Sequence, residues 1–198
     1  MELWDGQMGL FDDNPRREVG TGRKVVVFDV ETQRSFDEVG GRTQFHKLGV
    51  SAAVAYRYDL DQFLECTEEN VGELINLLLE ADLVVGYNIL GFDYEVLRAY
   101  TDRDLLRLPT VDLMRDLEAK LGFRPKLDSV VQPTLGVSKS ADGLQALEWW
   151  REGRLDLIEK YCTEDVRLTR DLYLFGKRNR HVLVSRFSGT PLKVEVDW

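Results

Sequence analysis

Three short segments of this chain carry carboxylates at positions that a fold normally fills with apolar side chains. Asp29 and Glu31 end an apolar run, Asp93 follows a strand-to-helix turn, and Asp165 lies within a long helical pattern. Buried carboxylates are costly unless they are paired or bind a metal ion. Several converging oxygens without a matching set of cationic partners favour hard divalent cations. The sequence therefore predicts a metal site.

The first segment ends a strand that is predicted over residues 24–31. Its valines and Phe28 form a nearly continuous apolar run, which is typical of a strand buried on both faces. Side chains alternate along a strand, so Asp29 and Glu31 project to the same face. They lie at the carboxyl end of the strand, where open sheets bind ligands. The alternative interpretation is a polar strand end that runs into the following loop.

The second segment joins a short buried strand, predicted over 83–87, to a helix predicted over 92–100. The chain leaves the strand at Asn88 and turns through Gly91 into the helix. Asp93 shares the inward face of that helix with the apolar residues three and four positions further on. An aspartate near a helix N-terminus is also a favoured cap, so capping is the alternative role for Asp93.

The third segment lies on the longest helical pattern, predicted over 155–175. Apolar residues three and four positions apart define its core-facing stripe. Asp165 falls within this stripe, one turn after Tyr161, so the two side chains are neighbours. A purely structural Asp165 would need a buried cationic partner, and the same helix face offers none. Tyr161 taken alone could be an ordinary core residue.

The three motifs together resemble a known superfamily. They read DxE in the first segment, Nx₃FD in the second and Yx₃D in the third. Their order and spacing resemble the DEDD superfamily of 3′–5′ exonucleases, in particular its tyrosine branch. That branch includes the proofreading domain of family B DNA polymerases and related stand-alone bacterial nucleases. The resemblance runs from Lys24 to Phe175 and takes in residues 110–113 and 126–130.

This resemblance implies a ribonuclease H-like α/β fold, with a central mixed β-sheet flanked by helices. It also implies two bound divalent metal ions, Mg²⁺ or Mn²⁺. Two such ions about 3.5–4 Å apart can activate water and stabilise the leaving oxygen in phosphodiester hydrolysis. The ligands and catalytic residues that the resemblance implies are Asp29, Glu31, Asp93 and Asp165.

Tyr161 completes the catalytic set that the resemblance implies. With an ordinary pKa near 10, tyrosine is a poor general base at neutral pH. We therefore expect Tyr161 to orient the attacking water through a hydrogen bond. The sister branch uses histidine in this region, but His46 and His181 are far from Asp165 in sequence, which favours the tyrosine branch.

The resemblance also assigns two residues to substrate binding. Asn88 and Phe92 match the second motif and would steady the terminal nucleotide, Asn88 by a hydrogen bond and Phe92 by packing. Thr32, which follows the first motif, is a further candidate for substrate binding. Ordinary core packing remains an alternative for Phe92.

The length and composition of the chain limit the number of domains that it can form. Its 198 residues, with 43% hydrophobic and 31% charged side chains, suit one globular domain over 23–198 after a flexible tail over 1–22. No apolar run approaches the ~18 residues of a membrane helix, so no membrane association is expected. With two isolated cysteines and no visible secretory signal, the sequence favours a cytoplasmic protein.

Hydrophobic periodicity predicts strands first and helices later, as expected for one α/β domain around a mixed sheet. Residues 32–45 are predicted as a loop and 181–197 as a possible C-terminal hairpin. The remaining predicted strands cover 48–58 and 62–67. The remaining predicted helices cover 71–79, 111–121, 126–135 and 143–151.

The favoured function is a 3′–5′ exonuclease that releases nucleoside monophosphates from single-stranded nucleic acid, with DNA preferred over RNA. A net charge of −9 argues against binding through bulk electrostatics. Contact with nucleic acid should therefore be local and metal-dependent. The alternatives are an RNA-trimming or endonucleolytic enzyme of the same fold and a non-catalytic interaction module.

The N-terminal segment Gln7-Met8-Gly9-Leu10-Phe11 resembles the short peptide by which bacterial replication proteins bind the sliding clamp. In that pattern Gln7 accepts and donates hydrogen bonds, while Leu10 and Phe11 insert into an apolar pocket. Such tethering would raise the effective concentration of an acidic enzyme at a DNA end. The alternative is that the apolar residues of the tail fold back onto the domain.

Overall fold

A mixed five-stranded sheet forms the centre of the computed structural model, which describes residues 22–140, 143–186 and 189–198. In chain order its strands are β1 (Val25–Thr32), β2 (Val50–Arg57), β3 (Gln62–Cys66), β4 (Leu83–Gly86) and β5 (Thr110–Asp112). Across the sheet the order is β3-β2-β1-β4-β5. Strand β2 is antiparallel to β1 and β3, whereas β4 is parallel to β1 and β5.

Helices cover both faces of this sheet. Those within the described residues are α1 (Phe36–Val39), α2 (Val71–Leu79), α3 (Asp93–Leu97), α4 (Leu113–Leu121), α5 (Leu127–Leu135), α6 (Gly143–Arg151) and α7 (Leu155–Asn179). Two short 3₁₀ helices cover Phe45–Lys47 and Leu105–Arg107. The predicted fold class, α/β with a central mixed sheet flanked by helices, is confirmed. No helix in the described ranges has the length and apolarity needed to cross a membrane.

Strand β1 lies between two hydrophobic cores, which explains its continuous apolar sequence. Val25 and Val27 pack into the core that α7 covers, whereas Val26, Phe28 and Val30 pack into the core that α2 covers. Period-two alternation continues past the valines. It therefore places the two acids of β1 on the α7 side.

Helix α7 contains 25 residues and is therefore about 37 Å long. It packs against β1, β2 and β4 and extends to the C-terminal hairpin. Its buried stripe includes Ile158, Tyr161, Asp165 and Leu172. The acid that interrupts the stripe thus faces the sheet, as predicted.

The predicted loop over 32–45 contains a short helix. Ser35 and Glu38 form a capping box: the Ser35 N–H donates to Glu38 Oε2 at 2.7 Å, and the Glu38 N–H donates to Ser35 Oγ. These reciprocal bonds satisfy two backbone donors and begin α1. Gly40, with φ of 92°, ends it in the left-handed region.

The prediction of a helix from residue 111 missed strand β5. Val111 pairs with Val85 of β4, and Asp112 pairs with Gly86. Asp112 then caps α4, because its carboxylate accepts a hydrogen bond from the Arg115 N–H at 3.2 Å. A three-residue strand is too short to show period-two alternation, so its pairing is visible only in the fold.

The C-terminal segment forms an antiparallel pair, β6 (His181–Val184) and β7 (Leu192–Glu195), in a sheet of its own. It is tied to α5, because Thr134 Oγ1 both accepts from the Leu183 N–H and donates to the Leu183 carbonyl, each at 2.9 Å. The clamp-like peptide with Gln7, Leu10 and Phe11 lies outside the described residues, as does nearly all of the predicted tail.

Gly86, at the end of β4, has no room for a side chain. A Cβ there would lie 2.2 Å from Ile89 Cγ2, and Ile89 is fully buried. We expect Gly86→Ala to lower the free energy of unfolding by about 1–3 kcal/mol through overpacking. Chemical denaturation measures this change. The matched control is Gly72→Ala in α2, where nothing lies within 4 Å; it should be neutral or stabilising. Equal stability of Gly86→Ala and wild type would contradict the expected clash.

Candidate metal centre

Three carboxylates meet where β1 ends beneath α7. One oxygen from each of Asp29, Glu31 and Asp165 lies within 4.8 Å of the other two. Strand alternation brings Asp29 and Glu31 to this face, and the helical stripe brings Asp165 to meet them. The structure thus brings together three of the four predicted ligands.

Burial and mutual repulsion act together on these acids. The pKa of Glu31 is raised well above its ordinary value, first by desolvation and then by the charges of Asp29 and Asp165. Desolvation also raises the pKa of Asp29. The pKa of Asp165 is raised to about 7, by desolvation and then by Asp29. The cluster therefore holds negative charge only at a cost, which a bound cation would offset.

Asp93 lies immediately beside this group. It is 3% exposed, and its Oδ1 accepts a hydrogen bond from the Val30 N–H at 2.9 Å. That N–H lies between the two acids of β1. Desolvation and the charge of Asp29 raise the pKa of Asp93 well above its ordinary value. Asp93 is the first residue of α3, and its carboxylate reaches across to β1. It is not one of the three acids whose oxygens lie within 4.8 Å of one another, so its role as a ligand stays a prediction.

Asp165 has a cationic partner that the helix pattern did not reveal. Lys139 Nζ donates to Asp165 Oδ2 at 2.6 Å and to the Tyr161 hydroxyl at 2.8 Å. The two side chains of the ion pair are 17% and 8% exposed. The expectation that Asp165 lacks a buried cation was therefore wrong. Lys139 comes from the segment between α5 and α6, and no local periodicity connects that segment to α7.

Tyr161 keeps its proton in this environment. It is 3% exposed, and its ring lies edge-on to Trp149 at a centroid distance of 6.2 Å. Desolvation, followed by the charges of Asp165, Glu31 and Asp29, raises its pKa. A protonated phenol can donate a hydrogen bond to water but cannot accept a proton from it. The role of Tyr161 in orienting water stays a prediction.

The turn that carries Asn88 is fixed by hydrogen bonds from its backbone N–H groups to the Asp112 carboxylate. Asn88 has φ of 68°, and its N–H donates to Asp112 Oδ1 at 2.8 Å. The Leu90 N–H donates to Asp112 Oδ2 at 2.9 Å. A Cβ on Gly91 would lie 2.7 Å from Asn88 Oδ1, so glycine leaves space for that amide. Among the described atoms, Asn88 Oδ1 is buried without a hydrogen-bond partner.

Phe92 belongs to a partly exposed aromatic cluster that sequence reasoning did not find. Its ring centroid lies 6.0 Å from that of Phe36 and 6.1 Å from that of Phe45. The Arg42 guanidinium lies 5.9 Å from the Phe36 ring centre. Two of the rings come from the segment predicted as a loop, which gave no periodic signal. Thr32 is 8% exposed, and its hydroxyl donates to the Arg34 carbonyl at 3.1 Å.

Cys162 adds a contact to Asp29. Its Sγ lies 3.4 Å from the Asp29 carbonyl oxygen and 3.5 Å from Asp29 Oδ2. The thiol is fully buried, and desolvation raises its pKa well above its ordinary value. It therefore remains a weak donor toward the aspartate. The sequence marked this residue only as an isolated cysteine.

The donor set fits a hard divalent cation. The convergent atoms are carboxylate oxygens, which Mg²⁺ and Mn²⁺ prefer. Asp165 Oδ1 is buried and, among the described residues, has no hydrogen-bond partner. An unpartnered buried oxygen beside two further carboxylates is costly without a cation and well placed to bind one.

Comparison with known proteins supports the fold and the resemblance. A sequence model of the RNase_H_2 family, within the RNase_H superfamily, matches residues 26–175. No curated protein matches the chain. A solved structure that matches is the family B DNA polymerase from the hyperthermophilic archaeon Pyrobaculum calidifontis, with a TM-score of 0.57 and 19% identity over 79% of this chain.

The match covers 24% of that polymerase, so the chain corresponds to about a quarter of its length. At this identity the likeness shows the fold alone. The expected resemblance to family B DNA polymerases is confirmed at that level. Because the family model spans β1 to α7, with all four acids and the tyrosine inside it, the chain belongs to the RNase_H_2 family of the RNase_H superfamily.

Proposed function

We propose that this protein is a metal-dependent 3′–5′ exonuclease that hydrolyses phosphodiester bonds at the 3′ end of single-stranded nucleic acid, with DNA preferred. The observation that carries the proposal is the convergence of Asp29, Glu31 and Asp165 within 4.8 Å. Asp93 joins this site through the hydrogen bond that its carboxylate accepts from the Val30 N–H, between the two acids of β1. Membership of a ribonuclease H-like family supports a nuclease, and the three motifs support this reaction.

Asp29, Glu31 and Asp165 would hold two divalent ions, with Asp93 completing the set. When bound, such ions lower the pKa of water and stabilise the leaving oxygen of a phosphodiester. The protein's part is to place the ligands. Asp29 is fixed by its strand and by the Cys162 thiol. Asp93 is fixed by a backbone N–H.

Tyr161 would orient the attacking water. Its phenol is protonated and accepts a hydrogen bond from Lys139 Nζ, so its own O–H would be the donor to that water. The Trp149 ring packs against it and limits the positions of its hydroxyl. Orientation of a reacting water reduces the entropy lost in the transition state.

The cluster of Phe36, Phe45 and Phe92 would bind the terminal bases. Aromatic faces bind unpaired bases without regard to sequence, and Arg42 beside Phe36 supplies a cation for the phosphate backbone. Asn88 lies at the start of the turn that ends at Phe92. A base can lie against a ring only when it is unpaired, which favours a single-stranded substrate.

One observation favours a second candidate, a non-catalytic binding module. Lys139 already supplies Asp165 with a positive charge, so the protein can hold this acid without metal. A module would keep its fold and its ligands but show no turnover. The activity assay separates the two candidates.

We expect purified protein with Mg²⁺ or Mn²⁺ to shorten 5′-labelled single strands stepwise from the 3′ end. Excess chelator should abolish this activity, because the proposed hydrolysis requires divalent ions bound by the carboxylates. Parallel DNA and RNA strands measure the sugar preference, and an internally cut product would indicate the endonuclease alternative. Metal-independent cleavage, or none with either metal, would contradict the proposal.

Glu31→Gln should abolish hydrolysis while the fold remains intact. Desolvation and the neighbouring acids raise the folded-state pKa of Glu31 above 4.5, so its ionised form destabilises the metal-free protein increasingly as pH rises above that value. The variant should therefore melt higher than wild type at neutral pH without metal, and the difference should vanish in acid. Asp116→Asn, at an ion pair on α4, is the control and should retain activity. Turnover near wild type in Glu31→Gln would exclude Glu31 as a ligand.

Tyr161→Phe should reduce turnover less than Glu31→Gln does, because it removes one orienting hydrogen bond. We expect a loss of at most about 10²–10³-fold in kcat, comparable to loss of one positioned donor. Single-turnover rates at saturating metal measure the effect. Tyr87→Phe is the control, since its hydroxyl donates to the Pro125 carbonyl, and it should keep the wild-type rate. A Tyr161→Phe variant as inactive as Glu31→Gln would assign the phenol a larger role.

A further inference from the structure

Lys139 places an ammonium group inside the cluster of acids. Besides its bonds to Asp165 Oδ2 and to the Tyr161 hydroxyl, Nζ lies 4.9 Å from the centre of the Tyr161 ring. Its charge also acts on Asp29 and Glu31. Lys139 therefore interacts with three of the four proposed ligands.

The backbone around Lys139 is anchored on two helices. The Lys139 N–H donates to Asp128 Oδ1 at 3.0 Å, and Asp128 lies in the first turn of α5. The Ser140 N–H donates to Glu164 Oε2 at 3.2 Å, and Glu164 immediately precedes Asp165 on α7. The segment is thus held over the acids from both sides. The position of the ammonium is a feature of the fold and not of a freely rotating surface side chain.

Lys139 and a bound metal ion would share one carboxylate group, that of Asp165. Asp165 offers two oxygens: Oδ2 accepts from Lys139, whereas Oδ1 is buried without a hydrogen-bond partner among the described residues. A divalent ion bound through Oδ1 would lie next to the ammonium group that is bonded to Oδ2 of the same carboxylate, so the two cations would repel each other. Binding of metal through Asp165 must therefore weaken or displace the Lys139 contact.

We propose that Lys139 is the counter-cation of the metal-free centre, and that Asp165 exchanges this ammonium for a divalent ion when the centre is loaded. This inference rests on the metal site of the proposed function. Lys139 stabilises the metal-free protein by neutralising one of the clustered acids, and it weakens metal affinity by the same interaction.

Calorimetric titration of the whole protein with Mn²⁺ tests the exchange. We expect Lys139→Gln to bind Mn²⁺ roughly tenfold or more tightly than wild type, because no ammonium competes for Asp165. Lys139→Arg keeps the cation and should stay close to wild type. The control is Lys120→Gln, which removes a lysine paired with Asp116 at 2.7 Å; its affinity should not change.

Thermal melting separates exchange from a merely structural ion pair. With chelator, Lys139→Gln should melt below wild type; with saturating Mn²⁺ the gap should close, because the metal replaces the missing charge. A structural pair would leave the same gap in both conditions. Unchanged or weaker Mn²⁺ binding by Lys139→Gln, with wild type binding normally, would overturn the exchange and leave the proposed function standing. Failure of wild type to bind Mn²⁺ would overturn both.

Discussion

Repulsion among carboxylates withdrawn from water is the interaction on which the rest of this structure depends. Without the constraint of the fold, the carboxylates of Asp29, Glu31 and Asp165 would move apart. Held together, they bind protons more readily, as the raised pKa values of all three show. The fold prevents their separation by burying β1 on both faces and laying a 25-residue helix across it. Hydrophobic burial along these two elements offsets the electrostatic cost at their meeting point.

A different contact fixes each acidic motif. The carboxylate of Asp93 accepts from a backbone N–H of β1, and Asp29 accepts from a buried thiol. Asp112 lies outside the cluster, but it accepts from three backbone N–H groups and so holds the turn before Asp93. Since these partners belong to different elements, no single element sets the geometry of the centre. It results from the way the elements pack together.

Sequence patterns predicted the features that depend on one strand or helix, and they missed the contacts between segments that are distant in sequence. Asp29 and Glu31 were found from alternation along one strand, and Asp165 from the stripe of one helix, because a periodic element fixes its own faces. Lys139 contacts Asp165, which is 26 residues away in sequence, and Phe36 at the start of α1 contacts Phe92 just before α3. Neither contact leaves a local pattern in the sequence. The strand β5 was missed for the same reason, because only its neighbour β4 defines it.

The bond from the Val30 N–H to Asp93 joins the first two motifs through the main chain. A main-chain donor is supplied by every residue type except proline, so the identity of the side chain at position 30 can change without loss of this bond. This hydrogen bond between β1 and α3 therefore tolerates a change of side chain at position 30 but depends on the carboxylate of Asp93. A change of side chain at position 30 therefore leaves in place the hydrogen bond that sets the distance between the first two motifs.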